Sequence, residues 1–385
     1  MSLFLLGVNY WPRRSAMYMW ERFDLGEIRE DMARIKGLGL DLVRFFLRWD
    51  DFQPAPDEMD PVMLRRFDAM MRTIGDAGLR AMPTLFCGHM SGVNWLPAWS
   101  LDPQTPHGRF RTIAHGKPSP YGIGDFYQDP RLLDAQECFA RAVGERVRDH
   151  PVLYLWDLGN EFSNVRIPRR PQDAADWSKR LADALKETSN GAVTGGTHGE
   201  DVEHDRHLRP SSIARPWEIA TMHGYSAYAI FSRGPHDSDV VPFYAALMQS
   251  FSGKPVLFSE FGNPTCPSHP VSYHMPCLSE EDMVTYTLAV LDKLVARGVV
   301  GALWWCWADY TDEIAHLPPF DDAPHELTFG MVRSDGSFKP VAGALASFAT
   351  QSREVQTAAP PIAREDEFYA GLPQSIRALY EHFAG

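Results

Sequence analysis

The stretch Leu153-Tyr-Leu-Trp-Asp-Leu-Gly-Asn-Glu161 and its counterpart Val256-Leu-Phe-Ser-Glu-Phe-Gly-Asn263 decide the fold. Each is a short apolar run typical of a buried β-strand, and each contains a glutamate where the run ends, Glu161 or Glu260. Desolvating a carboxylate costs several kcal/mol, so a glutamate at the end of a buried strand is expected to face a cleft. Two such glutamates predict a pair of carboxylates that converge on one ligand, whereas the structural alternative is two acids paired with arginines.

Predicted strands and helices alternate along most of the 385 residues. Strand patterns cover residues 3–10, 41–49, 80–87, 152–159, 192–197, 218–225, 255–261 and 299–307. Helical patterns cover residues 24–38, 60–78, 130–149, 173–189, 243–252, 280–297 and 339–350, and a convincing helix is missing from 198–217. This alternation predicts an α/β fold, a (β/α)8 TIM barrel. We expect a single domain, with the barrel at residues 1–350 and a C-terminal tail at 351–385 that packs on it.

A barrel of this kind carries its site where the strands end, which is where both glutamates fall. Three of the loops that follow strands are unusually long, and loops of this length are usually functional or disordered. They cover residues 88–129, 262–279 and 308–337. The first of them is rich in aromatic residues, which favours an ordered wall of a cleft over disorder.

Composition excludes several classes of partner. The net charge of −13 argues against nucleic acid and anionic membranes. No apolar run approaches the roughly 20 residues that span a bilayer, and the apolar N-terminus is predicted to be the first strand, not a signal peptide. Five scattered cysteines without CxxC spacing favour reduced thiols and a cytoplasmic location over a disulfide framework or a zinc site. A bridge between Cys266 and Cys277 is therefore disfavoured.

Several motifs in the right order resemble the clan A glycoside hydrolases, family 5 in particular. Asn160-Glu161 matches the end of strand four and Ser259-Glu260-Phe261-Gly262 matches the end of strand seven. The resemblance covers about residues 3–345. It extends to an Arg at the end of strand two, a His after strand three, a His-x-Tyr at the end of strand six and a Trp on strand eight; the matching residues are Arg44, His89, His223, Tyr225 and either Trp305 or Trp307.

The resemblance implies a retaining enzyme with Glu161 as acid/base and Glu260 as nucleophile. Partial burial and a neighbouring negative charge are expected to raise the pKa of Glu161, so that it carries a proton near neutral pH. Arg44 and the hydroxyl of Tyr225 are expected to keep Glu260 ionised. Asn160 would then bind the 2-hydroxyl of the sugar, and the two carboxyl groups would lie about 5–5.5 Å apart.

Other candidates for substrate binding come from the neighbourhood of strand ends. Trp95 in the first long loop and Tyr10 after strand one are expected to line the cleft with His89, His223 and the strand-eight tryptophans. Alternate positions of a strand point to opposite sides, so Trp304, Trp305 and Trp307 cannot all face the substrate. The cluster of His198, His204 and His207 has no recognisable metal-ligand spacing, which favours a solvated or substrate-facing loop. No metal and no cofactor is expected.

The predicted activity is that of an exo-acting β-mannosidase on a short oligosaccharide or glycoside. The opening Gly7-Val-Asn-Tyr-Trp-Pro resembles family 5 β-mannosidases more than secreted cellulases. Open alternatives within the clan are a β-glucosidase, a β-galactosidase, an endo-β-mannanase or glucanase, and a transglycosylase. Alternatives of other classes are a non-catalytic sugar-binding barrel and a metal-dependent hydrolase, although strand one lacks a His-x-His. A homo-oligomer is possible.

Overall fold

Eight parallel strands form the wall of a barrel, which confirms the predicted (β/α)8 fold. The computed structural model describes residues 2–266 and 276–385. The barrel strands are β1 Leu5–Tyr10, β2 Leu42–Arg48, β3 Arg80–Cys87, β4 Leu155–Asp157, β5 Ala192–Thr194, β6 Ala220–His223, β7 Val256–Phe261 and β8 Gly301–Trp304. All eight lie within the predicted spans, but β4, β5, β6 and β8 cover half of their spans or less.

The strands follow one another around the barrel in the order β5-β4-β3-β2-β1-β8-β7-β6. The two ends of this sheet meet beyond the short strand β5. There the backbone N–H of His223 donates to the carbonyl of Thr197 at 2.9 Å, and the hydroxyls of Thr194 and Thr221 lie 3.1 Å apart. The irregular unit predicted at 198–217 therefore sits at the seam, and it holds two short helices, Glu200–Glu203 and Pro210–Ile213.

Among the described residues as far as Ala349, seven helices of ten residues or more surround the strands: α1 Leu25–Gly37, α2 Pro61–Asp76, α3 Pro130–Arg146, α4 Pro171–Thr188, α5 Val240–Ser252, α6 Glu280–Ala296 and α7 Pro340–Ala349. A one-turn helix, Trp49–Phe52, follows β2. Local chemistry fixes several of their starts. The carboxylate of Asp60 accepts from the backbone N–H groups of Val62 and Met63, and Pro61 occupies the first turn, where its missing N–H costs nothing.

The interior of the barrel is built in layers that follow the two-residue period of the strands. An apolar layer closes the bottom and consists of fully buried Leu42, Met82, Leu155, Leu257 and Leu303. Two residues further along the same strands, the same inward face carries a different set of side chains, namely Arg44, Thr84, Asp157, Ser259 and Trp305. The polar layer therefore lies on the apolar one, at the carboxyl end of the barrel where the predicted site should be.

The long loop after β3 is ordered and forms one wall of the cleft. It contains six short strands, His89–Met90, Val93–Trp95, Leu101–Pro106, Arg111–Ala114, Lys117–Ser119 and Tyr121–Ile123. These form a four-stranded and a two-stranded sheet. The loop after β8 carries two short 3-10 helices, Asp312–Ile314 and Pro324–Thr328. Much of the loop predicted at 262–279 lies outside the described residues.

A disulfide joins Cys266 to Cys277, with the two Cα atoms 5.0 Å apart. The prediction of reduced thiols is wrong for this pair, because Leu278 pairs with Thr265 and Cys266 and thereby brings two cysteines eleven residues apart to bonding distance. Cys87, Cys138 and Cys306 are free.

The residues after α7 run along the outside of the barrel and end in two helices, α8 Glu365–Ala370 and α9 Gln374–Ala384. The ring of Tyr380 packs 4.6 Å from that of Phe231 and 5.1 Å from that of Phe243, centroid to centroid. On α8, the hydroxyl of Tyr369 donates to the backbone carbonyl of Asp201 at 2.8 Å. No helix within the described ranges is both long and apolar enough to cross a membrane.

Candidate active site

The two glutamates that end β4 and β7 face each other across the top of the barrel. An oxygen of Glu161 and an oxygen of Glu260 lie within 4.8 Å of one another. Glu260 is still part of its strand, whereas Glu161 follows β4 after a tight turn and has a left-handed backbone, with φ at 48°. Such a conformation is uncommon for a residue other than glycine and is often found at functional sites. The short separation matches the spacing of a retaining glycosidase, about 5–5.5 Å.

Arg44, on β2, connects the site to three other strand units, β1, β4 and β7. Its fully buried guanidinium donates to Asp157 Oδ2, Glu260 Oε2 and Asn160 Oδ1 at 2.8 Å each, and to Asn9 Oδ1 at 2.9 Å. Burial disfavours the cation, but the carboxylates of Asp157 and Glu260 outweigh that cost and raise the pKa of Arg44. The guanidinium is thus a fixed positive charge beneath the carboxylate of Glu260.

Glu260 has the contacts expected of a nucleophile. Its Oε2 accepts from Arg44, and its Oε1 accepts from the hydroxyl of Tyr225. The imidazole Nδ1 of His223 lies 3.5 Å from Oε2. Charge-assisted hydrogen bonds of this kind stabilise the carboxylate form and fix its orientation.

Glu161 lies among three histidines. Its carboxylate is 3.3 Å from His223 Nδ1, 3.5 Å from His198 Nδ1 and 3.9 Å from His89 Nε2. Burial alone would raise the pKa of this carboxyl, but the interactions with His198 and His223 outweigh burial and lower it. The prediction of a raised pKa is therefore wrong, because the three imidazoles around the carboxyl outweigh both its burial and the neighbouring Glu260.

Two asparagines hold this side of the site in place. Asn164 donates to Glu161 Oε2 at 3.0 Å, and Asn160 donates to the backbone carbonyl of His89 at 3.0 Å. His89 in turn donates from Nδ1 to Asn94 Oδ1 at 2.8 Å, and burial lowers its pKa. His89 is therefore neutral near pH 7 and presents Nε2 towards Glu161.

A cavity of about 550 Å³ opens above the two glutamates. Seven of the predicted site residues contribute to its wall: His89, Asn160, Glu161, His223, Tyr225, Glu260 and Trp305. Of the strand-eight tryptophans, Trp305 is the one on this wall. Arg44 lies beneath it and acts through Glu260 and Asn160.

Three predicted cleft residues lie elsewhere. The hydroxyl of Tyr10 donates to Asp31 Oδ2 at 3.0 Å on the side of α1, since Asn9 is the residue of β1 that points into the barrel. The ring of Trp307 is fully buried, with the guanidinium of Arg34 5.5 Å from its centroid. Trp95 is buried against Arg48, 4.8 Å from the ring centroid. The prediction that Tyr10, Trp307 and Trp95 line the cleft is wrong.

The structure also places residues in the pocket that the sequence motifs do not mark. Glu326, from the 3-10 helix Pro324–Thr328, accepts from the hydroxyl of Ser91 at 2.9 Å. Burial, together with the charges of Glu260 and Glu161, raises the pKa of Glu326 to about 7. Phe110 and Tyr228 complete the aromatic lining, and the ring centroid of Phe110 is 4.5 Å from that of His89. These residues come from loops, where no strand or helix period marks the inward positions.

Glu161, His223 and Glu260 form the described group of acids and histidines that is compact enough to hold a metal ion. The same atoms are already engaged by Arg44, Tyr225 and Asn164. A cation here would meet the guanidinium next to Glu260, so the donor set does not fit a resident metal.

No family model and no curated protein matches the sequence. Solved structures do match. The exo-β-1,4-mannosidase Op5Man5 from Opitutaceae bacterium strain TAV5 matches with 27% identity and a TM-score of 0.75, over 91% of this chain. The present chain spans 60% of the length of that protein. A GH5_18 enzyme from Streptomyces cattleya in complex with Manβ1-4GlcNAc matches with a TM-score of 0.81 and 22% identity, over 99% of this chain and 91% of its own.

A GH5_18 enzyme from Bifidobacterium longum subsp. longum, also in complex with Manβ1-4GlcNAc, has a TM-score of 0.76 and 19% identity, over 93% of this chain and 80% of its own. The barrel fold is shared with these glycoside hydrolases. The predicted resemblance to clan A enzymes of the family 5 type is confirmed.

Proposed function

We propose that this protein is a retaining β-glycoside hydrolase, with β-mannoside as its preferred substrate. The observation that carries the proposal is the asymmetry of the carboxylate pair. Glu260 is held by a guanidinium and a phenol, whereas Glu161, within 4.8 Å of it, is surrounded by imidazoles and an amide. One carboxylate is thereby oriented by a fixed cation and a hydroxyl, as suits a nucleophile, and the other lies among imidazoles and an amide, as suits an acid/base.

The proposed reaction has two steps. In the first, Glu260 attacks the anomeric carbon, the glycosidic C–O bond breaks, and Glu161 gives its proton to the leaving oxygen. In the second, water attacks the glycosyl-enzyme ester, Glu161 takes the proton of that water, and Glu260 leaves as a carboxylate. Asn160 Oδ1 is occupied by Arg44, so its second amide hydrogen is the group available to the 2-hydroxyl of the sugar.

The preference for mannose and for exo action rests on the nature of the matched proteins and on the pocket. One matched protein is named an exo-β-1,4-mannosidase, and two others hold a disaccharide with mannose at its non-reducing end. The cavity is bounded by the ordered loops after β3 and β8, through residues such as Phe110 and Glu326. A pocket closed on these sides suits a chain end better than the middle of a polymer.

Two experiments test the proposal. The first measures hydrolysis of 4-nitrophenyl β-mannoside, β-glucoside and β-galactoside, and a dominant rate on either of the last two would overturn the sugar assignment. The second compares Glu260→Gln and Glu161→Gln with Glu313→Gln, an exposed control. We expect at least a thousandfold loss of kcat from Glu260→Gln and no change from the control.

The alternatives of other classes have their own outcomes. A non-catalytic sugar-binding barrel would give no turnover and the same sugar affinity with Glu260→Gln. A metal-dependent hydrolase would lose activity in chelator, whereas we expect full activity after EDTA treatment. Cytoplasmic location and a homo-oligomer stay predictions; the bond between Cys266 and Cys277 weighs against a reducing compartment.

A further inference from the structure

A second cavity of about 340 Å³ adjoins the catalytic pocket. It lies between the long loop after β3 and the segment that follows Glu161. Arg109, Phe110 and Asn164 belong to the walls of both cavities, so the two spaces are neighbours across these side chains. We call the second cavity the arginine pocket, after the side chains Arg109, Arg166 and Arg206 in its wall.

The arginine pocket is positive in a chain whose net charge is −13. Its described lining contains three guanidinium groups and no carboxylate. Glu200, from the neighbouring cavity, forms ion pairs with Arg109 at 2.7 Å and with Arg206. Within the described ranges, no acidic side chain comes within ion-pairing distance, 4.0 Å, of Arg166. Glu200 and Asp102, whose charge interacts with Arg166 from a greater distance, are two carboxylates against three guanidinium groups, which leaves an excess of positive charge that suits an anion.

A neutral donor in the same wall is also unpaired. The hydroxyl of Thr112 is buried, with the residue 1% exposed, and has no hydrogen-bond partner among the described residues. An unpaired buried hydroxyl costs free energy unless a ligand or water satisfies it. Thr112 therefore offers a hydrogen bond to an acceptor oxygen that enters the pocket.

The position of the pocket relative to the chemistry indicates which part of the substrate it meets. Asn164 donates to Glu161 Oε2 at 3.0 Å and accepts from Arg206 at 2.8 Å. The residue that protonates the glycosidic oxygen faces the leaving group, so the space reached past Glu161 and away from Glu260 belongs to the aglycone. The arginine pocket lies on that side.

We propose that the arginine pocket binds an acidic group, a phosphate or a carboxylate, on the aglycone of the substrate. This inference rests on the proposed function for the direction of the aglycone. Guanidinium groups recognise both anions by paired N–H donors. The alternative is that the arginines are solvated and bind no ligand. That alternative explains neither the unpaired buried hydroxyl of Thr112 nor the absence of an acid from the described wall.

Calorimetric titration of the whole protein with glucose 6-phosphate, glucuronate and glucose tests the inference. We expect at least one acidic sugar to bind about tenfold or more tightly than glucose, and binding to weaken as salt is raised. Tighter binding of the phosphate alone identifies a phosphomonoester, and tighter binding of both identifies a general anion site. Equal affinity for all three sugars would overturn the proposal.

Variants assign the binding to the pocket. Arg166→Gln should lower the affinity for the acidic sugar to about the affinity for glucose. Thr112→Val should lower the affinity for the acidic sugar by a smaller factor. Arg169→Gln is the matched control, because Arg169 is exposed and paired with Asp125 outside the pocket. An unchanged advantage in Arg166→Gln would refute the assignment. Wild-type turnover of neutral aryl glycosides is the separate readout of the proposed function, so the two failures are distinguishable.

Discussion

At the scale of single residues, the imidazoles around Glu161 determine how activity should depend on pH. His198 pairs with Glu161 Oε2 at 3.5 Å and favours its carboxylate form. Replacing His198 by Asn removes that effect, so the pKa of Glu161 should rise. Because the acid must be protonated for the first step, the alkaline limb of kcat/KM should move to higher pH. A pH-rate profile measures the shift.

The exposed His382 on α9 supplies the control for this experiment, as His382→Asn should leave both limbs in place. An alkaline limb that stays where it is in His198→Asn, or moves to lower pH, would show that His198 does not govern the proton of Glu161.

Glu326 should make the protein less stable as the pH rises. Its folded-state pKa of about 7 is above the usual 4.5, so between these values the folded state holds a proton that the unfolded state has lost. Stability therefore falls across this window, by on the order of 3 kcal/mol. Glu326→Gln removes this loss, whereas the exposed Glu313→Gln does not. Urea unfolding at pH 4.5 and pH 8 measures it, and parallel curves for wild type and Glu326→Gln would contradict the prediction.

Residue chemistry made part of the site predictable. Glu161 and Glu260 lie at or just after strand ends and Arg44 lies inside β2, and a buried charge at such positions is costly unless a ligand or an opposite charge compensates it. The direction of side chains was less predictable. For β1, the two-residue period of a strand does predict it: Asn9 points into the barrel, so Tyr10 points outward. On strand eight the period fails, because the strand ends at Trp304 and the chain changes course before Trp307.

At the scale of elements, the segment after β7 is held by the bond between Cys266 and Cys277. Thiol titration of the denatured, unreduced protein should find three free thiols, and five after reduction. Cys277→Ser should lower the free energy of unfolding by about 3 kcal/mol, because the bond restricts the unfolded chain and a closed loop of this size gives a stabilisation of that order. Cys138→Ser, which removes a free thiol, is the control. Five titratable thiols before reduction would show that the bond does not form.

Elements with strong periodicity were predicted within a few residues, as α3 and α6 illustrate. Their apolar faces pack on the barrel, so the pattern and the structure have one cause. The disulfide was missed because the spacing of cysteines in a sequence does not predict which of them come within bonding distance. The pocket residues Phe110 and Glu326 were missed as functional positions for the same reason: their places depend on the path of long loops.

At the scale of the whole molecule, the tail reaches back to the site. Tyr369 on α8 donates to the carbonyl of Asp201, and Asp201 Oδ2 accepts from the backbone N–H of His198 at 3.0 Å. Tyr369→Phe should lower the free energy of unfolding by about 1 kcal/mol and speed amide exchange across 198–203. Tyr121→Phe, at a residue 42% exposed, is the control. Unchanged exchange in Tyr369→Phe would mean that the tail does not brace this loop.

Arg44 carries a consequence for how such a protein can change over evolutionary time. Its guanidinium is fully buried and is satisfied by groups from β1, β4 and β7 together. A mutation that removed Glu260 would leave a cation without part of its compensation, at a cost of several kcal/mol. We therefore expect a descendant without catalytic activity either to keep Glu260 or to lose Glu260 and Arg44 together. If a relative without activity keeps both Arg44 and Glu260, the pair is retained because folding requires it and not because catalysis does.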